Sequence, residues 1–549
     1  MASLSPTARC LIATLVVLAA GSCLPALDNP QSDPLAEAAR ALAKMNVRPG
    51  DSPQFGVSPL RNNVRAARNI PVLWDVATGL NVKWSAKVGS RTYGSPVVAN
   101  GKIFIGTNNG GGYVPRLPAN VNLGVLICFD EATGKFLWQH SNAALPGPRE
   151  FACIPDSVCS TPYVEGDHIW YVNNRDEVVC LDTEGFLDGE NDGPVTDEPH
   201  QNKDEADVVW KLDLIGTFGV TPRHASVCSV TALGDLLFVG TSHGADTHRR
   251  IANAEAPSFV ALDKHSGAVL WTDRSPGENI LDGQWSSPAC AVLGGVEQVV
   301  FAGGDGWLYS FDPRGDNGRS RLLWKFDCNP KTGQFRRERA TRHPIIAAPV
   351  IYDGLVYVGV GNDPERGEGP GHLWCIDPTK LGDVSPTLVF NKHDPKTPIP
   401  PRRLIACDTQ AGDFEGDNPN AAGVWHFTGE NSGKFENTMH LTLSSAAIKD
   451  DLLFIADASG LFHCLDAKTG APYWTYDLLA ISWSTPLIAG DCVYVADQDG
   501  KITIFKVSKK MELVSTQDMG AAVCCTPIVA SGVLYIATSD RLFAIAGAP

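Results

Sequence analysis

No stretch of this 549-residue chain reaches the roughly 20 consecutive apolar residues that a membrane-spanning helix needs. The chain also lacks a basic face, because 61 acidic residues outnumber 45 basic ones and the formal net charge is -16. That charge repels polyanions, so we expect no nucleic-acid partner. No Cys-x-x-Cys-His motif occurs, which excludes a fused c-type haem. No nucleophile motif supports a hydrolase or a lyase.

The composition instead favours many short strands. Apolar residues make up 44% of the chain, and it contains 53 glycines and 38 prolines. Frequent turn residues argue against a long helical bundle. The sequence therefore predicts an all-β protein.

The first 23 residues have the pattern of an export signal. Arg9 precedes an apolar run at 11–20, and small residues lead to Cys23. Residues 19–23 also resemble a bacterial lipoprotein box, so lipidation of Cys23 and simple cleavage both remain open. We expect an exported chain that is periplasmic, anchored by a lipid and facing the periplasm, or extracellular. Residues 24–69 are rich in proline and are predicted to form a surface tether with a short helix at 35–45.

One pattern then occurs eight times: small residues, a first apolar strand, a turn, a second strand, and a third strand that usually ends in Asp. The first strands open at Gly94-Ser95-Pro96, Ser160-Thr161-Pro162, Ser229-Val230-Thr231, Ser286-Ser287-Pro288, Ala347-Ala348-Pro349, Ser444-Ser445-Ala446, Ser484-Thr485-Pro486 and Cys525-Thr526-Pro527. The second strands are predicted at 102–107, 168–173, 236–241, 298–303, 355–359, 452–457, 492–497 and 533–538. Their Val, Ile, Tyr and Phe content suits strands that are covered on both faces.

A turn with glycine follows several third strands, and a tryptophan stands four residues beyond that glycine, at Trp138, Trp271 and Trp474. Four antiparallel strands in each repeat are typical of a propeller blade. The last repeat stops short of its tryptophan, while an isolated turn at 77–79 precedes Trp84 near the other end. The sequence therefore predicts a single eight-bladed β-propeller over 70–549, in which an N-terminal strand closes the last blade.

The Ala-x-[Ser/Thr]-Gly-x-x-x-Trp turns and their flanking strands resemble the pyrroloquinoline-quinone (PQQ)-like propeller repeat. That family includes quinoprotein alcohol dehydrogenases with eight blades, and a scaffold lipoprotein of outer-membrane assembly whose similar blades bind no quinone. The resemblance thus implies the fold and leaves two functions open.

A site is predicted on the face that carries the long loops and crossovers. The openings of the first strands place aromatic and sulfur groups around the axis: Tyr93, Cys159, Cys228, Trp285, Trp483, Cys524 and Cys525. These residues either form the floor of a funnel or simply pack the channel mouth, since Ile346 and Leu443 occupy equivalent positions. Polar candidates for an anionic ligand are His224, His243, Asp246, His248, Arg249 and Arg250.

Two segments resemble parts of the quinone dehydrogenases. Gly361-Asn362-Asp363-Pro364 is similar to a segment that contributes a metal-binding asparagine, which implies PQQ and calcium near Asn362 and Asp363. Adjacent Cys524-Cys525 is similar to a vicinal disulfide on the cofactor face, although two reduced packing thiols are an equal alternative. No positions match the other carboxylate ligands, the catalytic base or the residues that stack on the quinone.

A second metal candidate lies in the loop Asp188-Gly189-Glu190-Asn191-Asp192-Gly193, where Asp188, Glu190 and Asp192 are spaced like the start of a calcium loop. The acidic residue expected at its end is missing, because that position is Pro199. A solvated acidic loop is the other interpretation. We expect the loop on the face opposite the funnel.

Fifteen cysteines suggest disulfides in an exported chain, yet four of them occupy one repeat position. Cys128, Cys180, Cys375 and Cys464 stand two residues before the Asp of the third strand, where other repeats have Ala or Ser. The position requires a small side chain, so we predict four free, buried thiols in separate blades. Cys153 with Cys159 is the predicted disulfide.

These observations favour an exported, non-catalytic propeller that binds a protein partner or a small ligand on its loop-bearing face. The alternative is a quinone- and calcium-dependent oxidoreductase with a divergent site. No catalytic residue can be assigned from the sequence.

Overall fold

The structure is a computed structural model that describes residues 33–146, 156–246, 248–336, 340–362, 369–429 and 434–547. The predicted signal segment, with Cys23, lies outside these residues, as do Cys153 and Asp363. Within the described ranges no helix is long and apolar enough to cross a membrane.

The regular secondary structure of the described chain is almost entirely β-strand, and turns and loops join the strands. Before the repeats come helix α1 (Pro34–Leu42) and strands β1 (Val64–Arg65) and β2 (Val82–Lys87). Blade 1 comprises β3 (Val97–Ala99), β4 (Lys102–Asn108), β5 (Leu123–Asp130) and β6 (Phe136–Ala143), and blade 2 comprises β7 (Tyr163–Glu165), β8 (His168–Val172), β9 (Glu177–Asp182) and β10 (Val208–Asp213), followed by helix α2 (Leu214–Phe218). Blade 3 comprises β11 (Thr231–Leu233), β12 (Leu236–Gly240), β13 (Phe259–Asp263) and β14 (Val269–Asp273). Blade 4 comprises β15 (Ala289–Leu293), β16 (Val296–Ala302), β17 (Trp307–Phe311) and β18 (Leu322–Asp327).

Blades 5 to 8 follow in the same way. Blade 5 comprises β19 (Val350–Tyr352), β20 (Leu355–Val360), β21 (His372–Ile376) and β25 (Gly423–Phe427), with an insertion that contains β22 (Gly382–Asp383), β23 (Thr387–Asn391) and β24 (Asp413–Asp417). Blade 6 comprises β26 (Ala447–Lys449), β27 (Leu452–Ala456), β28 (Leu461–Asp466) and β29 (Pro472–Asp477). Blade 7 comprises β30 (Leu487–Ala489), β31 (Cys492–Ala496), β32 (Lys501–Lys506) and β33 (Leu513–Asp518), and blade 8 contains β34 (Ile528–Ala530), β35 (Val533–Ala537) and β36 (Arg541–Ile545).

The predicted eight-bladed ring is confirmed. Eight sheets each contain four antiparallel strands in order from the axis outward, and in blade 8 the outermost strand is β2. The sheets of blades 4 and 7 each gain a short fifth strand in parallel, β22 and β1 respectively. Strand β2 pairs antiparallel with β36, and Trp84 lies opposite Ala544. The N-terminal strand therefore completes the C-terminal sheet and covers the edge it would otherwise leave open.

In seven of the eight blades the third strand carries a small residue opposite the tryptophan of the outermost strand, which explains the cysteine position. Cys128 faces Trp138, and Cys180, Cys375 and Cys464 face Trp210, Trp425 and Trp474. All four are free and fully buried, as predicted. In blade 7 the sizes are exchanged, because Ile504 lies opposite Ser515. The pair of positions thus holds one large and one small side chain.

Blade 5 carries a long insertion. Its fourth strand is β25, so residues 378–422 are an insertion between strands three and four, and the crossover to blade 6 occupies only 428–446. The hairpin of β23 and β24 belongs to this insertion, which returns to the loop-bearing face. There the Arg403 guanidinium donates to the carbonyls of Arg249, Ile280 and Leu281 at 2.7–3.1 Å. The insertion therefore covers part of blades 3 and 4.

Residues 50–65, which we call the axial plug, do not form the exposed tether expected from the sequence. Within them Asp51, Ser52, Gln54, Arg61 and Asn63 are at most 1% exposed. The predicted short helix is present as α1, but the chain beyond it turns into the axis because its polar groups have partners on every blade.

The plug makes one circuit of the axis in blade order. Gly50 hydrogen-bonds to the end of the innermost strand of blade 8. The innermost strands of blades 1 to 7 are then bonded, one after another, by Ser52, Pro53, Gln54, Pro59, Leu60, Asn62 and Asn63. Its end, β1, pairs in parallel with β30 of blade 7. Buried backbone groups need such partners, so the plug satisfies its own amides and carbonyls on the ring.

Arg61 lies at the centre of the plug and is fully buried. Its guanidinium donates to the carbonyls of Pro288 (2.7 Å), Phe55 (2.9 Å) and Ser229 (2.6 Å). Burial lowers the pKa of Arg61 to about 10, so the side chain stays charged at neutral pH. One cation thus joins blades 3 and 4 to the plug through carbonyl oxygens alone.

We predict that Arg61→Leu lowers the free energy of unfolding by at least about 3 kcal/mol, because it leaves several buried carbonyls without donors. Urea unfolding monitored by tryptophan fluorescence measures the change. Arg68→Leu is the matched control, since Arg68 is exposed just beyond the plug. Equal stability of the two variants would contradict the role given to Arg61.

Candidate functional site

A ring of hydroxyl groups surrounds the axis at the openings of the first strands. The ring residues of blades 1 to 4 are Ser95, Thr161, Ser229 and Ser287. The hydroxyls of Thr161, Ser229 and Ser287 each accept a hydrogen bond from the backbone N–H of the ring residue in the preceding blade, at 2.9–3.0 Å. The same bonds, at 3.0–3.1 Å, join Ala348 to Ser445, Ser445 to Thr485, Thr485 to Thr526, and Thr526 back to Ser95. The ring is interrupted between blades 4 and 5, because Ala348 has no hydroxyl to accept from Ser287.

The side chains two residues before this ring lie at the mouth of the axis and are mainly apolar. They are Tyr93, Cys159, Val227, Trp285, Ile346, Leu443, Trp483 and Cys524. The rings of Tyr93 and Trp483 are 6.3 Å apart, across the position of Cys524 in blade 8. All three are partly exposed, whereas Cys159 and Trp285 are buried. We call these eight residues the funnel floor.

The funnel is closed on the other side. The plug contacts the far ends of the same first strands, next to their turns into the second strands. Among the described residues the plug therefore fills the axis on the side opposite the loop-bearing face.

The structure places two of the predicted floor residues deeper. Cys228 is fully buried and its sulfur accepts the Gly240 amide, while the Cys525 thiol donates to the carbonyl of Ala537. Both occupy the position of Gly94, one residue before the hydroxyl ring, so Ser229 rather than Val230 is the ring residue of blade 3. Both Cys524 and Cys525 are thiols. Burial raises the pKa of Cys524 to about 11, against the opposing effect of the Arg91 charge.

Most of the predicted polar candidates serve the loops that contain them. His243 is fully buried, and its two ring nitrogens bond the amide of Thr221 and the carbonyl of Asn253. Asp246 accepts from the amides of His248 and Arg250 and forms an ion pair with the Arg250 side chain. The Arg249 backbone binds Arg403. Only His224 approaches the floor, with its ring 5.7 Å from that of Trp285.

The floor does not fit a quinone bearing several carboxylates together with its calcium ion. Its eight side chains include no charge and no oxygen ligand other than the Tyr93 phenol. Asn362 is buried just beyond β20, but Asp363 lies outside the described residues. Within the described ranges, one group of three side chains of the metal-binding types His, Cys, Asp or Glu has ligand atoms within 4.8 Å of one another. This group lies in blade 2, away from the floor.

That group consists of Asp182, Asp188 and Asp192, in the loop between strands three and four. Two of the three residues predicted from loop spacing are present, but Glu190 is exposed and Asp182, the last residue of β9, takes its place. Burial and the neighbouring carboxylates raise the pKa of Asp182 to about 6 and that of Asp207 to about 6.

Sequence reasoning missed a pair of buried histidines under the loops of blade 5. His343 is 1% exposed and neither of its ring nitrogens has a hydrogen-bond partner, while His372 is 5% exposed and bonds His426 at 2.9 Å. Burial lowers the pKa of His343 to about 4 and that of His372 to about 4. Both are therefore neutral at pH 7. His343 lies in a crossover and His372 begins β21, and isolated histidines at such positions give no pattern that would have identified them.

The fold and repeats define the class of this protein: it is an eight-bladed β-propeller with one side of its axis sealed. Residues 417–545 match the family model described as outer membrane protein assembly factor BamB. The matched residues comprise the outer strand of blade 5 and blades 6 to 8, whose turns resemble the PQQ-like propeller repeat.

Solved structures with a similar fold include both kinds of propeller in that family. BamB from Moraxella catarrhalis is 12% identical, with a TM-score of 0.49, over 84% of this chain and 96% of its own. Quinohemoprotein alcohol dehydrogenase from Comamonas testosteroni is 12% identical, with a TM-score of 0.42, over 94% and 85%. A europium-containing methanol dehydrogenase is 13% identical, with a TM-score of 0.41, over 90% and 91%. No curated protein sequence matches the chain. These likenesses carry no conclusion about activity.

The gap in the hydroxyl ring leads to a first prediction for this site. Ala348→Ser supplies the missing acceptor for Ser287, so we expect it to raise the free energy of unfolding by about 0.5–1.5 kcal/mol. Ala347→Ser, one residue away, is the control and gains no such bond. Equilibrium unfolding in urea compares the two, and a destabilised Ala348→Ser protein would show that the gap is needed for packing.

The buried histidines lead to a second prediction. A base whose pKa is lower in the folded state takes up its proton on unfolding between pH 6.5 and 4, so its stabilising contribution is present above pH 6.5 and is lost as the pH falls. His343→Gln removes one such histidine, and with it the proton that the unfolded chain takes up at that position. Between pH 6 and 4.5 we expect the stability of the variant to fall less steeply than that of the wild type, by up to about 1.4 kcal/mol per pH unit.

Urea unfolding at a series of pH values gives both slopes. His265→Gln is the control, because His265 is exposed, and its slope is expected to match the wild type. Parallel curves for His343→Gln and the wild type would contradict a neutral, buried His343.

Proposed function

We propose that this protein is an exported, non-catalytic propeller that binds a protein partner through the loop-bearing face, with the funnel floor available to a small apolar ligand. Export rests on the sequence of residues 1–23, which lie outside the described chain. The observation that carries the binding proposal is an exposed, strained leucine on the rim of the funnel.

Leu479 lies in the crossover from blade 6 to blade 7 and is 85% exposed. Its backbone is left-handed, with φ 62°, and its amide donates to the Asp477 carboxylate at 2.8 Å. A left-handed conformation is costly for leucine, whereas asparagine and glycine adopt it readily. Folding alone thus favours another residue here, and strain of this kind is typical of binding sites.

A cleft adjoins the same part of the rim. It has a volume of about 340 Å³ and lies between blades 5 and 6, lined by Phe427, Glu436, His463, Tyr473 and Asp477. Phe435, in the crossover from blade 5 to blade 6, is 42% exposed and stacks on His440. Apolar side chains beside a partly polar cleft suit a protein segment with an apolar anchor and a polar flank.

The chemistry of the funnel supports binding rather than catalysis. Its floor offers two aromatic rings and a protonated thiol, and the nearby buried carboxylate Asp282 is paired with Arg223 at 2.9 Å. Aromatic and apolar groups at the bottom of a blind pocket favour an apolar ligand group.

Leu479→Asn tests the rim directly, because it removes the apolar anchor while suiting the backbone. We expect unchanged or higher stability, by up to about 1 kcal/mol, together with loss of partner binding. A photo-crosslinking amino acid at position 479, in the full chain expressed in its native host, should give a discrete adduct. Competition by unlabelled wild-type protein should be at least tenfold stronger than competition by Leu479→Asn.

Val292 provides the matched control site, since it is 62% exposed but lies in blade 4 beside a turn on the plug side. Equal adduct formation at 292 and 479, or equal competition by both proteins, would contradict the assigned face. Stoichiometric PQQ binding with added calcium, accompanied by dye-linked alcohol oxidation, would support the dehydrogenase alternative instead.

A further inference from the structure

We propose that the loop between strands three and four of blade 2 binds one Ca²⁺ ion through the carboxylates of Asp182, Asp188 and Asp192. This site is remote from the funnel and does not depend on the function proposed above.

The three carboxylates have the spacing of ligands on a single ion. One oxygen from each lies within 4.8 Å of the others. Ca²⁺ binds oxygen at about 2.3–2.6 Å, so two ligands of the same ion are at most roughly 5 Å apart. Asp182 is buried at the end of β9, while Asp188 and Asp192 belong to the loop that returns over it. Carboxylate ligands from the end of a strand and from a turn thus converge on one position for the ion.

A buried carboxylate oxygen without a partner lies against this group. Asp207 is fully buried and its Oδ1 has no hydrogen-bond partner. The other oxygen, Oδ2, accepts the Asp192 amide at 2.6 Å, and the Asp207 carbonyl accepts the Asp182 amide at 3.1 Å. Asp207 is therefore held between two of the proposed ligands. An unpaired buried carboxylate oxygen is costly unless a cation or water reaches it.

A second acceptor in the loop is also without a donor. The Oδ1 atom of Asn191 is buried and unpartnered, although the Asn191 amide nitrogen donates to Glu198 at 3.3 Å. In the part of the chain that the structure describes, no Lys, Arg or His forms an ion pair with Asp182, Asp188, Asp192, Glu198 or Asp207. A bound cation would supply both the missing partner for these acceptors and the missing counter-charge.

The donor set selects the type of cation. All of the available atoms are carboxylate or amide oxygens, which suit hard ions rather than Zn²⁺ or Cu²⁺. The turn at 188–193 is irregular and partly exposed, and Gly193 has a φ of 81°. Such a flexible, oxygen-rich site accommodates the variable coordination of Ca²⁺ better than the strict octahedron of Mg²⁺.

Occupation of the site would fix a loop that covers the edge of blade 1. Downstream of the turn, Glu205 bridges in parallel to Gln139 on β6 and forms an ion pair with Arg116 at 2.6 Å. Asp207 immediately precedes β10. The ion would therefore anchor the segment that seals blade 1 against blade 2.

Calorimetric titration of the EDTA-treated full chain with CaCl₂ tests the site. We expect one ion per chain with a Kd between about 10 µM and 1 mM, the range of exported calcium modules and weak sensors. Asp188→Asn and Asp192→Asn should each weaken binding at least tenfold. Glu190→Gln is the matched control: it removes an exposed charge from the same turn but no proposed ligand, so its Kd should stay within threefold.

Thermal unfolding separates loss of the ion site from loss of the fold. In EDTA the variants should unfold at the wild-type temperature, and 2 mM CaCl₂ should raise the Tm of the wild type and Glu190→Gln only. The proposal is overturned by the absence of stoichiometric binding, by equal weakening in Glu190→Gln and Asp192→Asn, or by equally tight binding of Mg²⁺.

Discussion

The contact between each outer tryptophan and the next blade is the interaction on which the ring depends. Six of these indoles, those of Trp84, Trp138, Trp210, Trp271, Trp425 and Trp474, donate to a backbone carbonyl at the end of the neighbouring blade's third strand. The ring of Trp210 lies over Gly267, where an added Cβ would be 2.5 Å from the indole and where φ is 71°. Trp138, Trp210 and Trp271 are buried and the other three are partly buried. Fully burying a tryptophan contributes about 4–6 kcal/mol, so these contacts together oppose any opening between blades.

This contact also fixes the interior of each blade. An indole on the fourth strand leaves room for only a small residue opposite it on the third, which is why cysteine, alanine and serine alternate there. Where the outer position is Ser515, its hydroxyl donates to Val72 and the facing residue is Ile504. The chain therefore conserves the combined volume of the two positions rather than the identity of either.

The repeats were predictable from the sequence because each blade is a local unit whose turn, tryptophan and small residue recur at fixed spacing. The blade count, the closure by Trp84 and the free thiols follow from that local signal. The axial plug was not predictable in this way, since the partners of Gln54, Arg61 and Asn63 are backbone atoms of blades far along the chain. The acidic loop shows the same limit on a smaller scale: linear spacing identified Asp188 and Asp192, but only the return of the loop onto β9 brings in Asp182.

The backbone groups at the two ends of the first strands are satisfied by different means. On one side the plug hydrogen-bonds to the first strands through its polar groups and the Arg61 cation. On the other side the hydroxyl ring satisfies the strand openings within the ring itself, and the residues above it are free of that task. They carry aromatic and aliphatic side chains of no consistent type, as expected where packing within the blades does not specify them. The axial funnel therefore opens toward the loop-bearing face, while the plug fills the axis on the opposite side.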